Sequence, residues 1–355
     1  MTRALGAVLL GLVLLAGGLG LGAPSLYVPA VALVLLGAGA AAWVAMASAG
    51  AGLERTTGPH TVEEGAAWPL LLDVRRGLAP PPGGELTEPL LGRPLPAGPG
   101  SPARVRVEVR FEHRGRRVLE PARLSIRDPL GLAERTMESA AGELLVLPRV
   151  EPVLAPGAAA TGRAGGQAPR PKAESAELEI DGLRPYRPGM PASRIHWPAV
   201  ARRGELVERR LVADSDSRPL VVLDARRPPD EDALDRAVRA AASLTVHLAR
   251  GGGCALLLPG DRRATEVDPE LRAWPALHVR LALVEPDPRA PAGRVERAGA
   301  VYWVAACPGV PAGLARAAAR ERWLVTPALD GAPAGGFGVA GCTGRRLGTA
   351  ASRAA

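Results

Sequence analysis

The sequence is poor in the groups on which many enzymes and nucleic-acid-binding proteins depend. Phe, Trp and Tyr together make up 3% of the 355 residues, too few rings for a base-stacking surface. Lys172 is the single lysine, and the net charge of +8 comes from arginines dispersed among many acidic residues. We therefore expect no nucleic-acid partner.

Familiar catalytic and metal-binding motifs are also missing. The chain has no Gly-x-Ser-x-Gly turn, no His-Glu-x-x-His and no phosphate-binding loop. Cys254, Cys307 and Cys342 lie far apart without Cys-x-x-Cys spacing, which favours reduced thiols in the cytosol and no metal site or cofactor. Cys307, beside Pro308 at the end of an apolar strand, is interpreted as a buried, inert thiol. Three histidines are interpreted as isolated: His113, His247 and His278.

Two uncharged runs fill the first fifty residues, about 4–21 and 26–49. Each has close to the ~20 residues that cross a bilayer core of ~30 Å. The tetrapeptide at 22–25 predicts a tight turn, so residues 1–52 are predicted to be two transmembrane helices. A cleaved signal peptide followed by a buried helix is the alternative, but the second apolar run has no polar face.

The arginines that flank these runs predict the orientation. Arg3 precedes the first run and Arg55 follows the second, whereas the turn has no Lys or Arg. The positive-inside rule then places both chain ends in the cytoplasm of a two-pass plasma (inner) membrane protein.

Residues 53–150 have the alternating pattern of β-structure. Val105–Phe111 alternates apolar and charged residues, and further strands are predicted at Trp68–Leu72, 119–126 and 143–147. Residues 77–103 are predicted to be a long Pro- and Gly-rich loop. Several short strands separated by turns indicate a β-sandwich-like domain.

Residues 151–175 are predicted to be a flexible linker and 346–355 a disordered tail. Between them, 176–345 alternates strands with helices, which is typical of a mostly parallel, doubly wound α/β sheet. Asp230 is predicted to cap a helix that Gly251 ends. The other predicted elements are strands at 220–223, 255–258, 281–284, 301–305 and 323–326, and a helix at 313–322.

One stretch between the two β-containing regions has a distinctive sequence. It reads Leu-Arg-Pro-Tyr-Arg-Pro-Gly over residues 183–189, then Arg-Ile-His-Trp over 194–197 and Ala-Arg-Arg-Gly over 201–204. This resembles the signature of the domain of unknown function 58 family. Asp-Pro-Leu-Gly-Leu at 128–132, Leu-Pro-Arg-Val at 147–150 and the N-terminal hairpin are similar to that family too.

The resemblance implies a membrane-anchored protein with a domain similar to the von Willebrand factor A domain, which is Rossmann-like. It also implies bacterial partners, a MoxR-type AAA+ ATPase and a transglutaminase-like membrane protein. The sequence departs from the family pattern at Met190, Pro198 and Val200, where Asp, Lys and Ser are usual.

The signature stretch has two interpretations. Its arginines and rings are suited to docking an acidic partner through bidentate bonds. The alternative, which the balanced number of basic and acidic residues favours, is that the arginines pair with Glu177, Glu179, Asp181 and Glu205 nearby. Trp197 is interpreted as a core anchor, and His196 as a hydrogen-bonded or titrating group. The candidate interaction residues are Arg184, Tyr186, Arg187, Arg194, His196, Trp197 and Arg202.

Asp224 marks a degenerate metal position. A von Willebrand-type domain binds Mg²⁺ through Asp-x-Ser-x-Ser after its first strand, but here Arg226 and Pro228 replace both hydroxyl ligands. Mg²⁺ requires oxygen ligands, so we expect no metal and expect Asp224 to pair with an arginine.

These features predict a protein-interaction module rather than an enzyme, working with the ATPase in assembly or maturation of envelope proteins. Two alternatives stay open. One is a Mg²⁺-dependent adhesion domain at Asp224, and the other is a hydrolase that uses Asp224 and His196.

Overall fold

The structure is a computed structural model, and it describes residues 2–154, 180–185, 197–211, 218–286, 288, 295, 298–328 and 336–347. The chain forms two compact units. The first comprises residues 1–112 and 116–146, and the second comprises residues 113–115 and 147–355. The predicted linker and tail lie mostly outside the described residues.

The chain begins with a helical hairpin. Helix α1 is Thr2–Leu21 and α2 is Tyr27–Ser48, joined through a short 3₁₀ turn at Pro24–Leu26. Both helices are long and apolar enough to cross a membrane. The predicted spans agree with these bounds to within two residues at each end.

Small residues at intervals of seven form the seam between α1 and α2. Ala4, Gly11 and Gly18 are the buried residues of α1, and they meet a similar series on α2 that includes Ala30 and Gly37. A Cβ atom at Gly11 would lie 2.7 Å from the carbonyl oxygen of Ala30, and one at Gly37 would lie 2.7 Å from that of Ala4. The two backbones therefore approach as closely as small residues allow.

The outward surface of the hairpin is apolar and uncovered. Only 17% of the most apolar stretch of α1 is buried, and 22% of that of α2. Leu9, Val13, Leu19 and Leu35 are each more than half exposed. A core helix of a soluble domain would be buried on at least one broad face, so these helices are not core helices.

The first unit continues as ten strands in three small sheets. The sheet orders are β1-β3-β6, β2-β10-β7 and β5-β4-β8-β9. The strands are β1 Gly52–Thr57, β2 Thr61–Glu63, β3 Trp68–Arg75, β4 Gly84–Thr87, β5 Leu95–Pro96, β6 Arg104–Val109, β7 Gly115–Leu119, β8 Arg123–Arg127, β9 Glu134–Glu138 and β10 Gly142–Leu147.

Two predictions for this unit are wrong. Residues 77–103 were expected to be a loop but contain β4 and β5, because β4 gains its backbone partners from β8, which is distant in sequence. The single strand expected at 119–126 is interrupted at Glu120–Ala122, since Pro121 has no N–H for a ladder bond. Ser139 closes this break, as its Oγ accepts from the backbone N–H of Ala122 at 2.9 Å.

Arg55 is buried in the first unit rather than exposed beside the helices. Its guanidinium lies 3.5 Å from the carboxylate of Glu88, and both side chains are almost fully buried. It also donates to the carbonyl oxygens of Leu119, Glu120 and Ala140 at 2.6–3.2 Å. Five donors on one planar group allow this single residue to tie three backbone segments together.

The second unit is built on one seven-stranded sheet of order β15-β14-β13-β16-β17-β19-β18. The four strands β14, β13, β16 and β17 run parallel, and the strands outside them pair antiparallel. The bounds are β13 Leu220–Asp224, β14 Cys254–Leu257, β15 Thr265–Val267, β16 Ala298–Ala305, β17 Ala319–Pro327, β18 Phe337–Val339 and β19 Cys342–Leu347. The prediction of a parallel α/β sheet is therefore right for the centre of the sheet only.

The signature stretch contributes three further elements to this unit. They are β11 Ile180–Pro185, helix α3 Trp197–Arg203 and β12 Val207–Leu211. β11 and β12 pair antiparallel, with Arg184 opposite Glu208.

Helices cover both faces of the seven-stranded sheet. Helices α4 Glu231–Arg250 and α5 Trp274–Ala282 share one core cluster with the sheet, and the short α6 Ala312–Arg316 shares another. β13 is buried along its whole length, as its continuous apolar run predicts. The capping prediction for α4 is confirmed, since Oδ1 of Asp230 accepts from the N–H of Ala233 at 2.6 Å and Gly251 ends the helix.

Two element predictions fail in this unit. The strand expected at 281–284 is the end of α5, because Trp274, Leu277 and Leu281 recur at helical spacing. The helix expected at 313–322 stops at Arg316, since β16 recruits the chain from Ala319 onward as a parallel partner.

Replacing Gly37 with leucine tests the seam between α1 and α2. A side chain at Gly37 meets the backbone of Ala4, whereas one at Gly39 meets nothing within 4 Å. We expect Gly37→Leu to cost about 1–3 kcal/mol through overpacking, measured as a lower thermal unfolding midpoint of the full chain in detergent. Gly39→Leu is the matched control, because it changes helix propensity equally. Equal midpoints for the two variants would contradict the seam.

Candidate functional site

The carboxyl edge of the parallel strands is where open α/β sheets bind ligands. β13 ends there at Asp224, which is only 7% exposed. The loop that follows runs through Arg226 and Arg227 to Pro228. Arg227 has a φ of +47°, a left-handed conformation that is uncommon for a residue with a side chain.

Arg226 folds back on Asp224 and forms a bidentate pair with it. Nε of Arg226 donates to Oδ1 at 2.8 Å, and Nη2 donates to Oδ2 at 2.6 Å. The backbone N–H of Arg226 also donates to Oδ1 at 3.2 Å. Trp303, on the neighbouring strand β16, donates its indole N–H to Oδ2 at 3.1 Å. Four donors thus occupy the two carboxylate oxygens.

These contacts determine the charge state of Asp224. Burial by itself raises the pKa of the carboxyl, but the hydrogen bonds and positive charge of Arg226, with the bond from Trp303, hold that pKa below the usual 3.8. The same pairing raises the pKa of Arg226. Asp224 is therefore an ionised carboxylate whose charge is neutralised by its own loop.

The residues around Asp224 do not fit a magnesium ion. A hard divalent cation needs several free oxygen ligands, whereas both oxygens of Asp224 accept bonds from Arg226. The guanidinium also brings positive charge to the face that a cation would occupy. Within the described part of the chain, no three His, Cys, Asp or Glu side chains gather as a metal site would require.

The predicted interaction residues fall into three groups. Arg184 lies on β11. Trp197 and Arg202 lie on α3, and both are exposed, Trp197 by 61%. The remaining four lie outside the described residues: Tyr186, Arg187, Arg194 and His196. The predicted convergence of Asp224 and His196 therefore lies outside the described residues.

The interpretation of Trp197 as a core anchor is wrong. The residue is the first of a seven-residue helix whose other members are Pro, Ala, Val and Arg. So short a helix with small apolar groups has no continuous face to hold a large ring against a core. Arg202 forms no ion pair with Glu205, the one predicted acidic partner whose side chain the structure describes.

Two histidines expected to be isolated have partners. His113, which packs with the second unit, places Nδ1 3.0 Å from Oδ2 of Asp235. Arg114 donates to Oδ1 of the same carboxylate at 2.7 Å and is itself buried. His278 stacks on Trp274 and lies 2.7 Å from the carbonyl oxygen of Pro148. The three hydrogen-bonded pairs join residues more than 100 positions apart, which no local pattern could reveal.

The three cysteines differ in burial. Burial raises the pKa of the Cys254 and Cys342 thiols to about 12 each, so neither forms a thiolate near neutral pH. Cys307 was expected to be buried but is half-exposed, because β16 ends at Ala305 and the thiol lies in the following turn.

No protein-family model matches the sequence, and no curated protein matches it either. The geometry of the described residues therefore supplies the argument for function.

Exchanging Arg226 for glutamine tests the neutralised carboxylate. In the wild type the stabilisation from ionised Asp224 is present above pH 3.8 and is lost as pH falls through the lowered pKa. In Arg226→Gln burial is less opposed, so the pKa of Asp224 rises and its carboxylate contributes less stability at neutral pH than in the wild type.

The measurement is the acid unfolding midpoint of the full chain in detergent. We expect Arg226→Gln to move this midpoint to higher pH and to cost roughly 1.5–3 kcal/mol at pH 7, the range for hydrogen bonds to charged groups. Arg227→Gln, which removes an exposed arginine from the same loop, is the control. The same midpoint in both variants would rule out the pairing as a source of stability.

Proposed function

We propose that the chain is a membrane-tethered protein-interaction module. In this proposal α1 and α2 cross the plasma membrane, and the rest of the chain lies in the cytoplasm. The first unit then contains a β-sandwich-like domain, and the second is a domain similar to the von Willebrand factor A domain. The partners are a MoxR-type AAA+ ATPase and a transglutaminase-like membrane protein. The module acts in assembly or maturation of envelope proteins.

The exposed leucines of the hairpin support the tether. Apolar side chains in such number are stable only in lipid or in a partner, and the seam of small residues already occupies the inner face. Arg3 is exposed at the start of α1, and the turn at 22–26 carries no charge. That asymmetry favours the cytoplasm for both chain ends.

Exposure of Trp197 is the observation that carries the interaction proposal. Tryptophan and arginine are the residue types that most often dominate binding energy at protein interfaces. Trp197 and Arg202 are presented on one short helix, with exposed neighbours Ala201, Gly204 and Glu205. An acidic partner surface with an apolar pocket would match both groups.

The geometry of Asp224 supports binding over either alternative. A Mg²⁺-dependent adhesion domain needs carboxylate oxygens that are free to coordinate, and a hydrolase needs one that is free to accept a proton. Arg226 and Trp303 occupy both oxygens of Asp224. Both alternatives would require this loop to open first.

Co-purification tests the interaction proposal. The full chain is extracted from membranes in mild detergent, with and without ATP, and the MoxR-type ATPase of the same genome is measured in the eluate. We expect the ATPase to co-purify. We also expect Trp197→Ala to weaken its affinity by about 30-fold, the effect of losing a ~2 kcal/mol hot spot, and Arg202→Ala to weaken it less.

Matched controls come from exposed positions elsewhere on the second unit. Val310 is 50% exposed and Arg250 is exposed at the end of α4, so Val310→Ala and Arg250→Ala remove one apolar and one charged group away from α3. If the ATPase fails to co-purify with wild type, or if all four variants bind it equally, the proposal is wrong.

A further inference from the structure

A cavity of about 190 Å³ opens in the first unit at the foot of α2. An apolar cavity of about 150 Å³ already admits a benzene-sized molecule. The walls come from the last turn of α2 and from strands of two sheets. They are mostly aliphatic and include Ala47, Val74, Leu86, Leu95, Val105 and Leu124.

Several residues of the cavity wall are still partly exposed to water, and covering them with an apolar group would be energetically favourable. Leu86 and Leu124 are buried, at 3% and 2% exposure, but Val74, Leu95 and Val105 pack against the same core and remain only partly buried. An aliphatic side chain gains roughly 25 cal/mol for each Å² of surface removed from water. The cavity therefore favours an apolar occupant over water.

The mouth of the cavity lies beside the end of α2. Ala47 and Ala51 line it, and the N–H of Leu78 donates to the carbonyl oxygen of Ala49 at 3.0 Å. One turn earlier, the indole N–H of Trp43 donates to the carbonyl oxygen of Pro80 at 3.2 Å. Tryptophan concentrates at the membrane–water interface, so a spanning α2 puts this mouth at headgroup depth. Leu78 is 85% exposed there.

Two arginines line the mouth. Arg75 and Arg76 are both exposed. Arg75 lies 3.4 Å from Glu54, with about two-thirds of each side chain exposed, and such a surface pair contributes little stability. Arg76 donates to the carbonyl oxygen of Ser101 at 3.3 Å. Guanidinium groups form bidentate bonds to phosphate, so the apolar cavity has an anion-binding rim.

We infer that this cavity holds a segment of one acyl chain of an anionic phospholipid from the surrounding membrane, with the lipid phosphate at Arg75 and Arg76. The inference rests on the proposed membrane anchor. A phospholipid fits both parts of the site. Its phosphate lies at the depth of the two arginines, and its acyl chains begin at the depth of the apolar cavity.

Photolabelling of the full chain tests the site. The protein is reconstituted into phosphatidylcholine vesicles with a minor fraction of phosphatidylglycerol that carries a diazirine in its acyl chain. After illumination, labelled peptides are mapped by mass spectrometry. We expect label within residues 95–105 and 124–126 as well as on α1 and α2.

A matched pair of variants separates the cavity from the general lipid contact. Val105→Phe fills the cavity and is expected to remove the label from its walls while the label on α1 and α2 persists. Val118→Phe makes the same change at a residue that is 69% exposed on β7, and should leave both labels intact.

The charged rim is tested without disturbing the core. The double variant Arg75→Gln and Arg76→Gln is expected to lower cavity labelling about 30-fold, as each of the two basic residues near an anionic surface contributes about 1 kcal/mol. Arg106→Gln with Arg116→Gln removes two exposed charges elsewhere on the unit and should have no effect.

Three results overturn the inference. They are label confined to α1 and α2, equal cavity labelling by a diazirine phosphatidylcholine, or cavity labelling by a diazirine fatty acid and not by the phosphatidylglycerol. In each case the chain still sediments with the vesicles, so the anchor survives. A chain that fails to enter vesicles at all refutes the anchor and the lipid site together.

Discussion

Two helices that bury their small residues against each other leave a broad surface of leucines uncovered, and such a surface is stable only against lipid or a partner. The seam at Gly11 and Gly37 uses the inner face of the hairpin, and the leucines of its outer face have no protein core against them. The ends of the helices join the β-structure of the first unit, where Ala4 and Ala47 belong to its core cluster. Anchor and first domain are thus one packed body, and the cavity at the foot of α2 is a consequence of that junction.

The second unit follows a different principle, in which charges at the ligand-binding edge of the sheet are satisfied internally. Asp224 stands at the carboxyl edge of the sheet, where open α/β sheets bind ligands, and Arg226 provides the compensating charge from two residues away. Trp303 completes the set from the adjacent strand. A carboxylate held in this way stabilises its loop. Among the described residues of the signature stretch, Trp197 stays exposed, and it is the group that the proposed recognition would use.

Local patterns in the sequence predict the parts of the structure that local physics determines. Examples are the two apolar helices, the cap at Asp230, the helix end at Gly251 and the strand β13, which is buried on both faces. Long-range pairing determines the rest. β4 and β17 form because distant strands offer backbone partners, and Arg55, Arg114 and His113 find carboxylates or carbonyls that only the tertiary fold brings near. At the candidate site, Arg226 was visible as a charge beside Asp224, but the indole of Trp303 and the exposure of Trp197 were not.

Protease protection in oriented membrane vesicles tests the anchor and its orientation most directly. In inverted vesicles the cytoplasmic face is outward, and we expect added protease to digest both units while leaving a protected fragment that contains α1 and α2 together. In right-side-out vesicles the chain should stay intact at 36.6 kDa. Digestion of the units in right-side-out vesicles would contradict the orientation, and a mature chain that lacks α1 would show a cleaved signal peptide instead of a hairpin.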